Sequence, residues 1–231
     1  MEGTRILVWD LPLRLFHWLL AASFAGAFLT AESERVRDLH VALGYTFAGL
    51  LAFRLVWGFV GSRHARFRSF AFGPRAVLTY LKSLPTPRPL HYVGHNPAGS
   101  WAIFATVALG IVTAVSGWAD YADAGGRWAE SLHEGTANAL LALVIVHVAG
   151  VAVSSFVHRE NLVAAMLTGY KTGRPADAIG RSRWATALGL AAVVALFWSG
   201  VVDVSGVLPR PADVATGGHD DRSSHHRRHD G

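Results

Sequence analysis

The chain has 231 residues, 52% of them hydrophobic and only 16% charged, which is too apolar and too sparsely charged for an ordinary soluble domain of this size. Its net charge of +5 comes from basic residues gathered in particular loops rather than in one surface stripe, which reads as membrane topology and excludes a nucleic-acid partner. The absence of cysteine removes disulfides, thiolate metal sites, iron–sulfur clusters and covalently attached c-type haem, so a resident metal must be held by histidine or oxygen.

Five apolar stretches approach or reach the roughly 20 residues that cross a hydrocarbon core. In chain order they run over residues 14–30, 39–61, 97–119, 135–157 and 184–202. The expected fold is an all-α integral membrane protein, a four-helix transmembrane bundle with a fifth C-terminal transmembrane helix. Residues 1–171 form the bundle domain, 172–183 a cytoplasmic linker and 208–231 a disordered His-rich tail. Trp9, Trp57, Trp118, Trp128 and Trp184 fall near helix ends and predict an interfacial aromatic belt.

The first stretch is interrupted by Phe16-His17-Trp18 and lacks a small-residue cleavage site, so it reads as a retained helix rather than a signal peptide. The loop after the second stretch carries Arg63, Arg66, Arg68, Arg75, Lys82 and Arg88. The loop after the fourth carries Arg159, Lys171, Arg174, Arg181 and Arg183. Both belong on the cytoplasmic side of a bacterial inner membrane, which predicts a cytoplasmic N-terminus and a periplasmic C-terminus. Within the first of these loops, residues 74–84 predict one short amphipathic segment between prolines.

Ionisable side chains inside a membrane are costly, which makes each intramembrane histidine a functional candidate. His17 lies near the cytoplasmic end of the first helix, and His40 opens the second at the outer face. His133 opens the fourth helix outside, and His147 lies deeper in that helix. Fourteen residues return a helix to within roughly 40° of the same face and advance it by roughly 21 Å, so the fourth helix presents two imidazoles at two depths. His17 matches His147 in depth, and His40 matches His133. Two imidazoles per level, without a carboxylate, suit the axial positions of a haem iron better than a tetrahedral zinc site. Two bis-histidine haems, one toward each face, are therefore expected, with His17, His40, His133 and His147 as the iron ligands. Arg54 in the second helix either snorkels to the interface or pairs with a haem propionate. His95 and His158 are weaker candidates for propionate or quinone contacts.

The run Val8-Trp9-Asp10-Leu11-Pro12-Leu13-Arg14-Leu15-Phe16-His17-Trp18 resembles the opening signature of the bacterial cytochrome b-561 and nickel-iron hydrogenase b-subunit family. Leu39-His40, Gly94-His95-Asn96-Pro97, the His133 to His147 spacing and His158-Arg159-Glu160-Asn161 extend the likeness over residues 5–171. The resemblance implies a four-helix membrane cytochrome with two haems b, ligated by His17, His40, His133 and His147, that exchanges electrons between a quinone and a partner protein. A periplasmic c-type cytochrome or another redox protein is the expected partner, and the expectation leaves room for a homodimer within the lipid. The fifth apolar segment and the His-rich tail depart from the family pattern. Two rivals come from other classes: a metal-ion or proton transporter using the same histidines, which offers no reason for two matched depths, and a membrane anchor subunit of a redox complex.

Overall fold

The computed structural model describes residues 4–200. Helices α1 (Leu11–Thr30), α2 (Arg37–Val60), α4 (Pro97–Tyr121) and α5 (Gly126–Val157) are long and apolar enough to cross a membrane. Three shorter helices, α3 (Pro74–Ser83), α6 (Leu162–Thr168) and α7 (Trp184–Trp198), complete the helical set among the described residues, apart from three single-turn segments. Helix α5 begins at Gly126, nine residues before its apolar stretch, because residues 127–134 are helical yet polar and hydropathy does not mark them. Helix α7 has 15 residues, about 22 Å of rise against a hydrocarbon core of about 30 Å. Residues 201–202 of the expected fifth span and the expected tail at 208–231 lie outside the described residues.

The helices start where their caps dictate. The Asp10 carboxylate accepts from the Leu13 amide at 2.8 Å, and Pro12 follows in the first turn of α1. Asn96 accepts from the Gly99 amide at 2.7 Å ahead of Pro97 in α4, and Asn161 accepts from the Ala164 amide at 2.8 Å in α6. Helix α1 packs along α2 and α4 packs along α5 as two antiparallel hairpins, joined mainly where α2 meets α4. Backbone approach of α5 to α1 or α2 is marginal at most, so a slot wide enough for side chains separates α5 from the first hairpin, crossed midway by Leu140 packed on Phe47 and Leu51.

An all-α expectation misses one element. Strand β1 (Thr4–Leu7) pairs antiparallel with β2 (Tyr170–Gly173), with Ile6 opposite Lys171. Gly169 makes this ribbon possible: it ends α6 with φ +88°, its carbonyl accepts from the Val8 and Trp9 amides at 2.9 and 3.0 Å, and a Cβ there would meet the Trp9 carbonyl at 2.7 Å. Arg14 binds the α6 carbonyls of Met166 and Leu167.

The aromatic belt also needs correction. Trp118, Trp128 and Trp184 are exposed as a belt requires, but Trp9 and Trp57 are buried. The Trp57 indole N–H donates to both oxygens of the fully buried Asp10 carboxylate at 3.2 Å, so this tryptophan ties the end of α2 to the cap of α1. Asp10→Ala removes a cap and strands a buried N–H, a loss of about 2–4 kcal/mol. Thermal or denaturant unfolding of the solubilised protein should show it, and an unshifted midpoint would remove Asp10 from this role.

Candidate haem-binding site

The histidines stand on the walls of the slot beside α5. At the end away from the arginine-rich loops, the His40 ring on α2 and the His133 ring on α5 have centroids 6.1 Å apart and planes at 87°. Two imidazoles that ligate one metal from opposite sides through bonds of ~2 Å place their ring centres roughly 6 Å apart, so this separation fits a single iron between them. Each ring also has the orientation a ligand needs. His40 Nδ1 lies 2.8 Å from the Ala27 carbonyl oxygen, and His133 Nδ1 lies 2.9 Å from that of Thr113. Donation from Nδ1–H to a carbonyl leaves the Nε2 lone pair free for a metal.

The Thr113 carbonyl is part of a polar strip between α4 and α5, where the Thr113 hydroxyl donates to Thr136 Oγ1 at 3.0 Å. Gly117 on α4 lies directly against the His133 ring, and a Cβ there would come within 2.7 Å of it.

At the other level stand His147 on α5 and His17 on α1, both partly buried. His17 Nδ1 is buried and has no hydrogen-bond partner among the described residues. Beside this level sits His95, partly buried between Trp9 and Phe70, with ring centroids 4.6 and 4.4 Å away. Burial first, then the nearby charges of Arg54, His64, Lys171 and His147, push His95 down to about 3, so it is neutral at physiological pH. Its Nδ1 is likewise without a partner. Sequence reading ranks His95 low because it precedes its helix, a position that usually means solvent.

Arg54 does not snorkel. Its side chain is buried, Nη1 donates to the Ala65 carbonyl at 3.1 Å, and the guanidinium lies 4.5 Å from the centre of the Phe67 ring. Nη2 is left without a partner among the described residues, an unspent donor next to the His95 level.

Phe70, the Asp10–Trp57 pair and the Thr113 carbonyl are support that sequence reasoning missed. Only Asp10 carries a usable signal, as an N-cap residue two positions before Pro12.

A family model described as prokaryotic cytochrome b561 matches residues 8–169. The chain belongs to the prokaryotic cytochrome b561 family. It is an integral membrane protein of the b-cytochrome type, which carries electrons by means of haem b. Several relatives of this b561 cytochrome are named as probable Ni/Fe-hydrogenase B-type cytochrome subunits. One from Azotobacter vinelandii is 31% identical over 217 residues, covering 74% of this chain and 90% of the relative. One from Rhodobacter capsulatus is 25% identical over 215 residues, covering 73% and 82%. The probable Ni/Fe-hydrogenase 1 B-type cytochrome subunit of Escherichia coli K12 is 25% identical over 142 residues, covering 50% and 60%. No solved structure is significantly similar to the b561 cytochrome described here.

Outside the slot, Lys171 lies 3.0 Å from Glu160 and His91 lies 3.4 Å from it, which clamps the α5–α6 turn to the ribbon. Burial alone would raise the Glu160 carboxyl, but the hydrogen bond from His91 and the charge of Lys171 outweigh it and hold the group below the usual carboxylate range. Such a carboxylate stabilises the fold fully above about pH 4.3, its unfolded value, and that contribution is lost as pH falls through the lowered folded value. Melting curves recorded from pH 7 down to about pH 3 should therefore fall less steeply for Glu160→Gln than for the wild type. Parallel acid limbs would show that the clamp adds nothing.

Proposed function

We propose that His17 with His147 and His40 with His133 hold two haems b, and that the chain passes electrons across the membrane between a quinone and a redox protein. The observation that carries this reading is the His40–His133 pair, whose 6.1 Å centroid separation and carbonyl-bound Nδ1 atoms suit axial ligation. When bound, haem b supplies an iron that gains and loses one electron while keeping both imidazoles.

The residues of the chain account for the rest. The Ala27 and Thr113 carbonyls fix the tautomer and orientation of the outer imidazoles, and Gly117 leaves the space in which His133 sits. Arg54 has one buried donor unspent, which supports its pairing with a propionate of the inner haem. The arginine-rich end of the bundle faces the cytoplasm under the positive-inside rule, which puts His17 and His147 on that side and His40 and His133 toward the periplasm.

The partner is a redox protein on the periplasmic side. The relatives' names favour a hydrogenase in that place, while a small c-type cytochrome fits the same electron-transfer role.

Purified protein should carry about two haems per chain and show the sharp reduced-minus-oxidised bands of low-spin haem b. His17→Ala or His147→Ala should halve the haem content, leaving one low-spin species. Gly117→Ala should disturb the other species, visible as a shifted potential or spectrum. A well-folded preparation without haem would overturn the proposal. Loss of both species in every single variant, with the protein still folded, would rule out two separate sites.

A further inference from the structure

At the arginine-rich end, a cavity of about 780 Å³ opens between the turn after α2 and the start of α7. Ser62, Arg63, Arg181, Arg183, Trp184 and Thr186 contribute to its wall, and no acidic residue does. Arg63 is partly spent, donating to the Ala176 carbonyl at 2.9 Å and lying 3.9 Å from Asp177. Arg181 and Arg183 have no acidic partner among the described residues. Arg183 holds a left-handed backbone, φ +56°, and its guanidinium lies 5.4 Å from the centre of the Trp57 ring.

Two polar features of this cavity lack the partners that a protein normally supplies. No side chain caps the first turn of α7, so the positive end of that helix adds to the arginine charge. Ser62 is 6% exposed, yet its hydroxyl has no hydrogen-bond partner among the described residues. A buried hydroxyl without a partner, beside arginines and an uncapped helix start, matches the needs of a phosphate group.

The surroundings indicate where such a phosphate comes from. The cavity lies where α1, α2 and α7 meet the end of the bundle, and α7 continues from it as an apolar helix with Trp184 and Leu188 exposed. A phosphate at the top of an apolar, outward-facing helix is the layout of a phospholipid, with the headgroup at the arginines and acyl chains along α7.

We propose that this cavity binds the phosphate of an anionic phospholipid headgroup, held by Arg181, Arg183, the Ser62 hydroxyl and the first turn of α7. The site is separate from the histidine slot and does not depend on what the slot holds.

Native mass spectrometry of the full-length, detergent-solubilised protein tests it, with phosphatidylglycerol, phosphatidylcholine and inorganic phosphate as probes. Phosphatidylglycerol should be retained in preference to phosphatidylcholine, and Arg181→Gln and Arg183→Gln should each weaken its retention about fivefold. Arg181 is exposed, so its variant folds even if Arg183→Gln or Ser62→Ala does not. Equal retention of the two lipids, or no response to Arg181→Gln, would overturn the site. Displacement of the lipid by millimolar inorganic phosphate would keep the phosphate chemistry but overturn its assignment to a lipid.

Discussion

An imidazole in hydrocarbon needs a partner at each nitrogen, and the arrangement around α5 follows from that need. Water cannot supply partners inside the bundle, so for the outer pair of rings backbone carbonyls supply one on the Nδ1 side. His40 and His133 have their carbonyls in place, on α1 and α4 respectively. Because those carbonyls belong to the helices paired with α2 and α5, the two helices of each hairpin cannot slide past one another without breaking the ring contacts. The backbone of α5 stands off from α1 and α2, and between the two histidine levels the Leu140 side chain bridges the distance to Phe47 and Leu51.

Much of this is readable in the sequence because a helix acts as a ruler. The 14 residues from His133 to His147 set two depths on one face, and the positions of His17 and His40 within their own apolar stretches set the matching depths. The four spanning helices are equally visible as hydropathy. What is hidden depends on distance along the chain or on dual-purpose residues. Strands of four residues separated by more than 160 positions carry no periodic signal, and hydropathy cannot see that Gly169 needs a positive φ. Tryptophan suits both an interface and a core, and Trp57 is in the core only because Asp10, 47 positions away, receives its N–H. Arg54 shows the opposite case, since the aromatic rings and carbonyl that let it remain buried come from the loop after its own helix.

The two ends of the bundle divide the labour. The end with short, less basic turns carries the well-formed His40–His133 pair close to the surface. The arginine-rich end holds almost all the irregular structure: the ribbon, α3, α6, the Glu160 clamp and the Asp10–Trp57 tie. Polar groups concentrate there because charged loops must be organised at the lipid boundary, and they shut Arg54 away from solvent while doing so.

The pairing of β1 with β2 brings residues 4–7 next to residues 170–173. The segment that defines the family thus begins and finishes at one clasp, on one face of the bundle. Whatever is joined genetically before Thr4 or after Gly173 leaves from the same spot, with the electron-carrying bundle closed behind it. Extra helices, tails or docking modules can be exchanged at that spot through evolution or by engineering without rethreading a single span, and α7 is one such attachment.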